Sequence, residues 1–89
     1  MFEEAVALER ERRDKTGIPR ALRGFGLLIS DRGEYARASV LFEEALALDR
    51  EVGDQHGESS DLRALGKMQI HMGNPALAKK HFEEALALG

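Results

Sequence analysis

A seven-residue block recurs at a fixed spacing along this chain of 89 residues. It reads FEEAVAL at residues 2–8 and FEEALAL at residues 42–48 and 82–88, so each copy begins 40 residues after the previous one. The residues between the blocks keep the same register, with matched pairs at Arg10 and Arg50, Gly17 and Gly57, Gly26 and Gly66, and Gly33 and Gly73. Such a period is typical of arrays in which each unit buries its apolar face against the next. It predicts a stacked repeat fold.

Within each period the apolar residues follow the spacing of an α-helix. The stripe in the middle block, at i, i+3, i+4, i+7 and i+10, consists of Ala38, Leu41, Phe42, Ala45 and Leu48. This spacing places the stripe on one helix face. The intervening acidic residues Glu43, Glu44 and Asp49 lie off that stripe.

Glycine and proline divide the chain into helices. We predict five helices, with bounds good to a few residues, at about residues 2–14, 18–32, 34–53, 57–72 and 75–88. Short connections favour antiparallel neighbours. The predicted fold is all-α, an α-solenoid of antiparallel helix pairs in one domain over residues 1–89, made of a half-repeat at 1–16 and repeats at 17–56 and 57–89.

Individual punctuating residues have specific expected roles. Gly33 and Gly73 suit the left-handed position after a helix, and Asn74 before a proline is a typical N-cap. Gly26 and Gly66 lie inside helices, where glycine costs about 1 kcal/mol relative to alanine. Because this destabilising glycine occurs in both copies, we expect it to serve the packing of a neighbouring helix. That helix should approach closely at Ala38 or Ala78.

Composition removes several classes of function. The net charge is −3, which gives no global attraction to nucleic acid, and there is no cysteine for a disulfide or thiolate site. No apolar run approaches the roughly 20 residues that span a bilayer. The N-terminal residues 1–4 lack the pattern of a signal peptide, so we expect a cytoplasmic protein that binds neither nucleic acid nor membrane.

No constellation of residues predicts catalysis. Adjacent glutamates such as Glu43 and Glu44 point about 100° apart on a helix, so they do not converge as an acid–base pair. His56, His71 and His81 have no partner at metal-ligand spacing. We therefore expect no enzyme activity, no cofactor and no metal.

The fixed residues of each period resemble a known family. They are Phe25, Gly26, Ile29, Gly33, Ala38, Phe42 and Ala45 in one copy and Leu65, Gly66, Gly73, Ala78, Phe82 and Ala85 in the next. This set is similar to the tetratricopeptide repeat, whose usual period is about 34 residues. The longer period, with Gly53 and Asp54 between units, resembles the long-helix subclass found in bacterial signalling regulators and spindle-orientation adaptors.

The resemblance implies an interaction scaffold whose first helices line a concave groove. Residues at the groove positions of the two copies are Arg20, Arg23, Leu27, Ser30, Arg63, Lys67, Ile70 and His71. Arginine suits carboxylate recognition, so an acidic peptide segment or partner domain is the expected ligand. The alternative is that these arginines are ordinary solvated residues, some of them paired to acidic residues of a neighbouring helix.

The ends of the array predict a second function. About three or more repeats are usually needed for stability, and terminal units usually carry a polar cap. This chain has two and a half predicted repeats, and its end helices carry the apolar residues Phe2, Val6, Phe82 and Leu86. We expect a fragment of a longer array, or a structural module that self-associates through these end faces as a homo-oligomer or end-to-end stack.

Overall fold

The described residues, 17–88 of a computed structural model, form four α-helices and no strand. They are α1 (Ile18–Asp31), α2 (Tyr35–Val52), α3 (Gln55–His71) and α4 (Pro75–Ala87). These bounds confirm the all-α prediction and four of the five predicted helices within a few residues. The fifth, predicted at residues 2–14, lies outside the described residues, as does the half-repeat at 1–16.

Helix ends follow the predicted turn chemistry at the glycines. Gly33, Gly53 and Gly73 have φ of 83°, 76° and 81°, the left-handed conformation that side chains with a Cβ rarely adopt. Each therefore ends the preceding helix, as predicted for Gly33 and Gly73.

Two helix starts are capped in different ways. Helix α3 begins at Gln55, within a few residues of the predicted start at 57, and the Asp54 side chain accepts a hydrogen bond of 3.0 Å from the Gly57 backbone N–H and caps its first turn. Asn74 occupies the N-cap position of α4, but its side chain caps no backbone group. Its Nδ2 instead donates to Oε1 of Gln69 at 3.1 Å, so the amide ties the turn to the end of α3.

Each helix packs against its neighbour in the chain, and α1 also touches α3. Connections of two or three residues fold each helix back onto the one before it. The buried core runs through all four helices and comprises Ile29, Ala38, Phe42, Leu46, Leu62, Leu65, Met68 and Ala85. Because α3 contacts α1, α2 and α4, it joins the two helix pairs.

The buried face of α2 differs from the predicted stripe at one important position. Ala38, Phe42 and Ala45 are buried as predicted, whereas Leu48 is only half-buried. Asp49 was predicted to lie off the apolar stripe, yet its side chain is buried, at 2% exposed. Asp49 lies seven residues after Phe42 and so shares its face.

Glycine is required inside α1 and α3 because an aromatic ring lies directly against the backbone. A Cβ placed on Gly26 would lie 2.7 Å from Cζ of Phe42, and one on Gly66 would lie 2.7 Å from Cζ of Phe82. A neighbouring helix therefore approaches closely, as predicted, and the atoms nearest to the two glycines belong to these phenylalanines.

Alanine substitutions at Gly24 and Gly26 are expected to change stability in opposite directions. Gly24→Ala meets no atom within 4 Å and is expected to stabilise the chain by about 0.5–1 kcal/mol. Gly26→Ala forces its methyl group into the Phe42 ring and is expected to cost about 1–3 kcal/mol. Urea unfolding of both variants, followed by circular dichroism, measures the two effects. Equal and same-signed changes would contradict the close packing of Phe42 on α1.

Candidate functional site

A cavity of about 290 Å³ lies between the first helices of the two units, α1 and α3. Phe42 of α2 lies at its floor, and the lining residues are Arg23, Leu27, Phe42, Ser60, Arg63, Ala64, Lys67 and Met68. Four of these, Arg23, Leu27, Arg63 and Lys67, were predicted to bind a partner. The cavity therefore combines apolar walls with three basic side chains.

Arg23 is held in place by two buried carboxylates. Its Nη1 lies 2.6 Å from Oδ2 of Asp49 on α2 and 3.1 Å from Oδ1 of Asp61 on α3. The side chains of Asp49 and Asp61 are 2% and 0% exposed, whereas that of Arg23 is 23% exposed. One guanidinium nitrogen thus connects three helices, and for Arg23 the pairing alternative describes the contacts better than a free binding role.

The charges within this cluster shift its proton affinities. Burial, together with neighbouring Asp49, raises the pKa of Asp61 to about 8, although the hydrogen bond and the charge of Arg23 act to lower it. For Arg23, burial lowers the pKa, but hydrogen bonding and attraction to Asp61 and Asp49 outweigh it, so the pKa is raised. The buried Oδ2 of Asp61 has no hydrogen-bond partner among the described residues.

The other two basic side chains of the cavity are exposed and unpaired, unlike Arg23. Arg63 and Lys67 on α3 are both exposed, and neither pairs with an acidic side chain of residues 17–88. Elsewhere, basic side chains meet glutamates: Arg50 Nε lies 2.7 Å from Glu58 Oε1, and Arg50 Nη2 lies 3.5 Å from Glu84 Oε2. The basic edge of the cavity is thus open to an external anion.

The other predicted groove residues lie outside the cavity lining. Arg20 is exposed on α1, and the hydroxyl of Ser30 donates to the backbone carbonyl of Leu27 at 2.9 Å. Ile70 is exposed, and the ring of His71 stacks on Tyr35 with their centroids 4.3 Å apart. The structure therefore does not bring Arg20, Ser30, Ile70 and His71 to the cavity formed by the other four.

A second, larger cavity of about 720 Å³ lies where the last helix pair ends. Its lining combines the N-terminal half of α3 with the C-terminal half of α4: Gln55, His56, Ser59, Arg63, Phe82, Ala85, Leu86 and Leu88. We call this surface the end face. It contains the predicted self-association residues Phe82 and Leu86, of which Phe82 is half-buried and Leu86 exposed. Phe2 and Val6, the other two, lie outside the described residues.

Metal binding and membrane crossing find no support in the described residues. Among residues 17–88, no group of three or more histidine, aspartate or glutamate side chains is placed to hold a metal ion. Within the same residues, no helix has the length and apolar character required to cross a membrane.

Sequence reasoning missed Asp49 and Asp61. One signal for Asp49 was available, because an aspartate seven residues after Phe42 continues the apolar face of α2. Asp61 is followed directly by the buried Leu62 and so also borders an apolar face. Acidic residues at such positions require a buried cation, and Arg23 is that cation.

Two matched helix pairs with a cavity between their first helices define this part of the chain as an all-α helical-repeat protein. The family model of the tetratricopeptide repeat matches residues 17–88, and the chain belongs to that family. Repeats of this family generally mediate protein–protein interactions and are typically non-enzymatic. No curated protein and no solved structure matches the chain.

Proposed function

We propose that this protein is a scaffold that holds an acidic peptide segment or partner domain in a concave groove between α1 and α3. The observation that carries the proposal is the pair of exposed, unpaired cations Arg63 and Lys67 at the edge of an apolar cavity. The matched helix pairs would extend as an α-solenoid with the inner helices lining this groove. The 40-residue spacing supports membership in the long-period subclass.

The cavity defines what such a ligand would contain. Its volume of about 290 Å³ is near the lower bound of small-molecule pockets, about 300 Å³, so it suits one apolar side chain of a peptide. Leu27 and Met68 would contact that side chain, while Arg63 and Lys67 would meet flanking carboxylates. A short segment with one apolar residue between glutamates or aspartates fits both requirements.

Reversing the two free cations is expected to weaken acidic-peptide binding by at least about tenfold, or 1.4 kcal/mol. Fluorescence anisotropy with a library of labelled peptides, each carrying one apolar residue between acidic ones, would compare the chain with Arg63→Glu/Lys67→Glu. Binding should also weaken as salt is raised, because these side chains are exposed.

The matched control is Arg32→Glu/Lys80→Glu. It makes the same change in net charge at two exposed positions that line neither cavity. Arg23 is left unchanged because its loss would disturb the fold. Equal binding by both double variants would eliminate the groove as the acidic-peptide site.

A second candidate function is self-association through the end helices. It is favoured by the exposure of Leu86, an apolar side chain that is 79% accessible on the end face.

We also propose that the protein is cytoplasmic, which suits either function.

A further inference from the structure

The contact between the two repeats provides a template for what covers the end face. Helix α3 lies against α1 and α2, where Asp61 meets Arg23 and where a Cβ on Gly57 would fall 2.6 Å from Oδ2 of Asp49. The side chains that α3 buries include Leu62, Leu65 and Met68, at one, four and seven residues after Asp61. The first helix pair, α1 and α2, is thus covered by α3, in which the carboxyl group of Asp61 precedes a stripe of apolar residues.

The same receiving surface is present again 40 residues later, and no helix within residues 17–88 covers it. Arg63, Phe82 and Leu86 stand at the positions of Arg23, Phe42 and Leu46, respectively. Leu46 is 8% exposed, whereas Leu86 is 79% exposed. Phe42 is buried while Phe82 is half-buried, and all three residues of the second set line the 720 Å³ cavity. The end face is therefore a second copy of a surface that binds a helix.

Charge identifies the missing partner group. In the first unit the guanidinium of Arg23 is satisfied by Asp61, which comes from the covering helix. In the second unit Arg63 has no carboxylate partner among the described residues. A covering helix must bring an acidic side chain to Arg63 as well as apolar ones to Phe82 and Leu86.

A second copy of the chain fits this chemistry less well. Its α1 would offer Leu22, Phe25 and Leu28 at the three apolar positions, but Ala21 stands where the carboxylate is needed. A second copy that docks through its α1 would therefore bury Arg63 without a partner, which is unfavourable. The apolar match alone does not decide the occupant, and the charge favours a different helix.

We propose that the end face binds an amphipathic helix of a partner protein that carries a carboxylate followed by apolar residues at +1, +4 and +7. The carboxylate pairs with Arg63, and the apolar residues pack on Phe82, Ala85 and Leu86. This surface is separate from the acidic-peptide groove, with which it shares only Arg63.

A peptide with the sequence of residues 55–71 is a direct probe, because it reproduces the helix that covers the first unit. The labelled peptide is expected to bind the full chain in fluorescence anisotropy. Replacing its aspartate, equivalent to Asp61, by asparagine is expected to weaken binding about tenfold. Binding of the two peptides with equal affinity would overturn the role of Arg63.

Two protein variants separate the end face from the groove. Leu86→Glu should abolish peptide binding without unfolding the chain, since Leu86 is exposed, and circular dichroism checks the fold. Lys67→Glu alters the groove and not the end face, so it should leave binding of the peptide unchanged. Peptide binding that survives Leu86→Glu, or is lost in Lys67→Glu, would overturn the proposal without touching the proposed groove function.

A charge exchange tests the pairing itself. Arg63→Glu should weaken binding of the original peptide. A peptide with lysine in place of its aspartate should recover binding to that variant.

Light scattering of the protein alone tests whether a second copy of the chain occupies the end face instead. A molecular mass that rises with concentration, and that Leu86→Glu returns to the monomer value, would overturn the proposal in favour of a second copy.

Discussion

Replacement of Arg23 by methionine is expected to lower the free energy of unfolding by about 3–5 kcal/mol at pH 7, the usual cost of removing one partner from a buried ion pair. Nη1 of Arg23 donates to Asp49 within the first helix pair and to Asp61 on the first helix of the second pair. Methionine preserves much of the volume but supplies no donor. The variant therefore leaves buried carboxyl groups without compensation, and these groups cannot reach water.

Urea denaturation measures this loss as a lower midpoint with an unchanged slope. The matched control is Arg20→Met, one turn earlier on α1, where the side chain is exposed and makes no ion pair with a described residue. It should change stability by less than about 0.5 kcal/mol. A loss of similar size in both variants would show that Arg23 stabilises the fold only through its position on α1.

The origin of the loss can be tested by removing all three charges. The triple variant Arg23→Met/Asp49→Leu/Asp61→Leu is expected to recover much of the stability, because well-packed apolar residues often replace a buried ion cluster at no net cost. Failure to recover would indicate that the volume of these side chains, and not their charge, sets the packing of α1, α2 and α3.

Helix positions could be predicted from the sequence because two strong local signals agree. The period of the apolar residues marks the faces, and glycines such as Gly33 and Gly73 can adopt the positive φ that ends a helix. Helix α3 begins two residues before the predicted position, Gly57, which lies inside its first turn. Its hydrogen bond to Asp54 is a cap, and its missing Cβ makes room for Asp49.

The buried charge cluster could not be predicted from the repeat because the repeat does not contain it. Arg23 is matched by Arg63, but Asp61 is matched by Ala21 and Asp49 by Glu9. Comparison of the two copies therefore identifies the arginine as a repeated residue but does not identify its acidic partners. The pairing depends on three helices meeting at one point, which is tertiary information, and this is why Arg23 was predicted as a binding residue.

Part of the candidate site followed from equivalent positions in the two copies. Arg23 with Arg63 and Leu27 with Lys67 are matched pairs, and all four line the cavity. Ser30 and Ile70 are a matched pair as well, yet neither lines the cavity. A single helical face spans a longer stretch than the cavity between two crossing helices, so spacing alone selects too many residues.

Raising the pH from about 4 to about 8 is expected to reduce the stability of the chain through Asp61. The pKa of this carboxyl is about 8 in the folded chain, against an ordinary value of 3.8, because it is buried beside Asp49. The folded state therefore binds a proton that the unfolded state has already lost within this window. The stabilisation is complete below the ordinary pKa and disappears as pH rises through the folded pKa.

The expected loss is of the order of 3–5 kcal/mol across the window, since each pKa unit corresponds to about 1.4 kcal/mol. Thermal unfolding by circular dichroism at intervals between pH 4 and 9 measures it. Asp61→Asn imitates the protonated carboxyl and cannot ionise, so its profile should lack this slope while keeping the contributions of all other titrating groups. The difference between the two profiles isolates Asp61. If both chains lose stability equally on passing to pH 9, the Asp61 carboxyl does not hold a proton in the folded state, and Arg23 must then compensate two full negative charges.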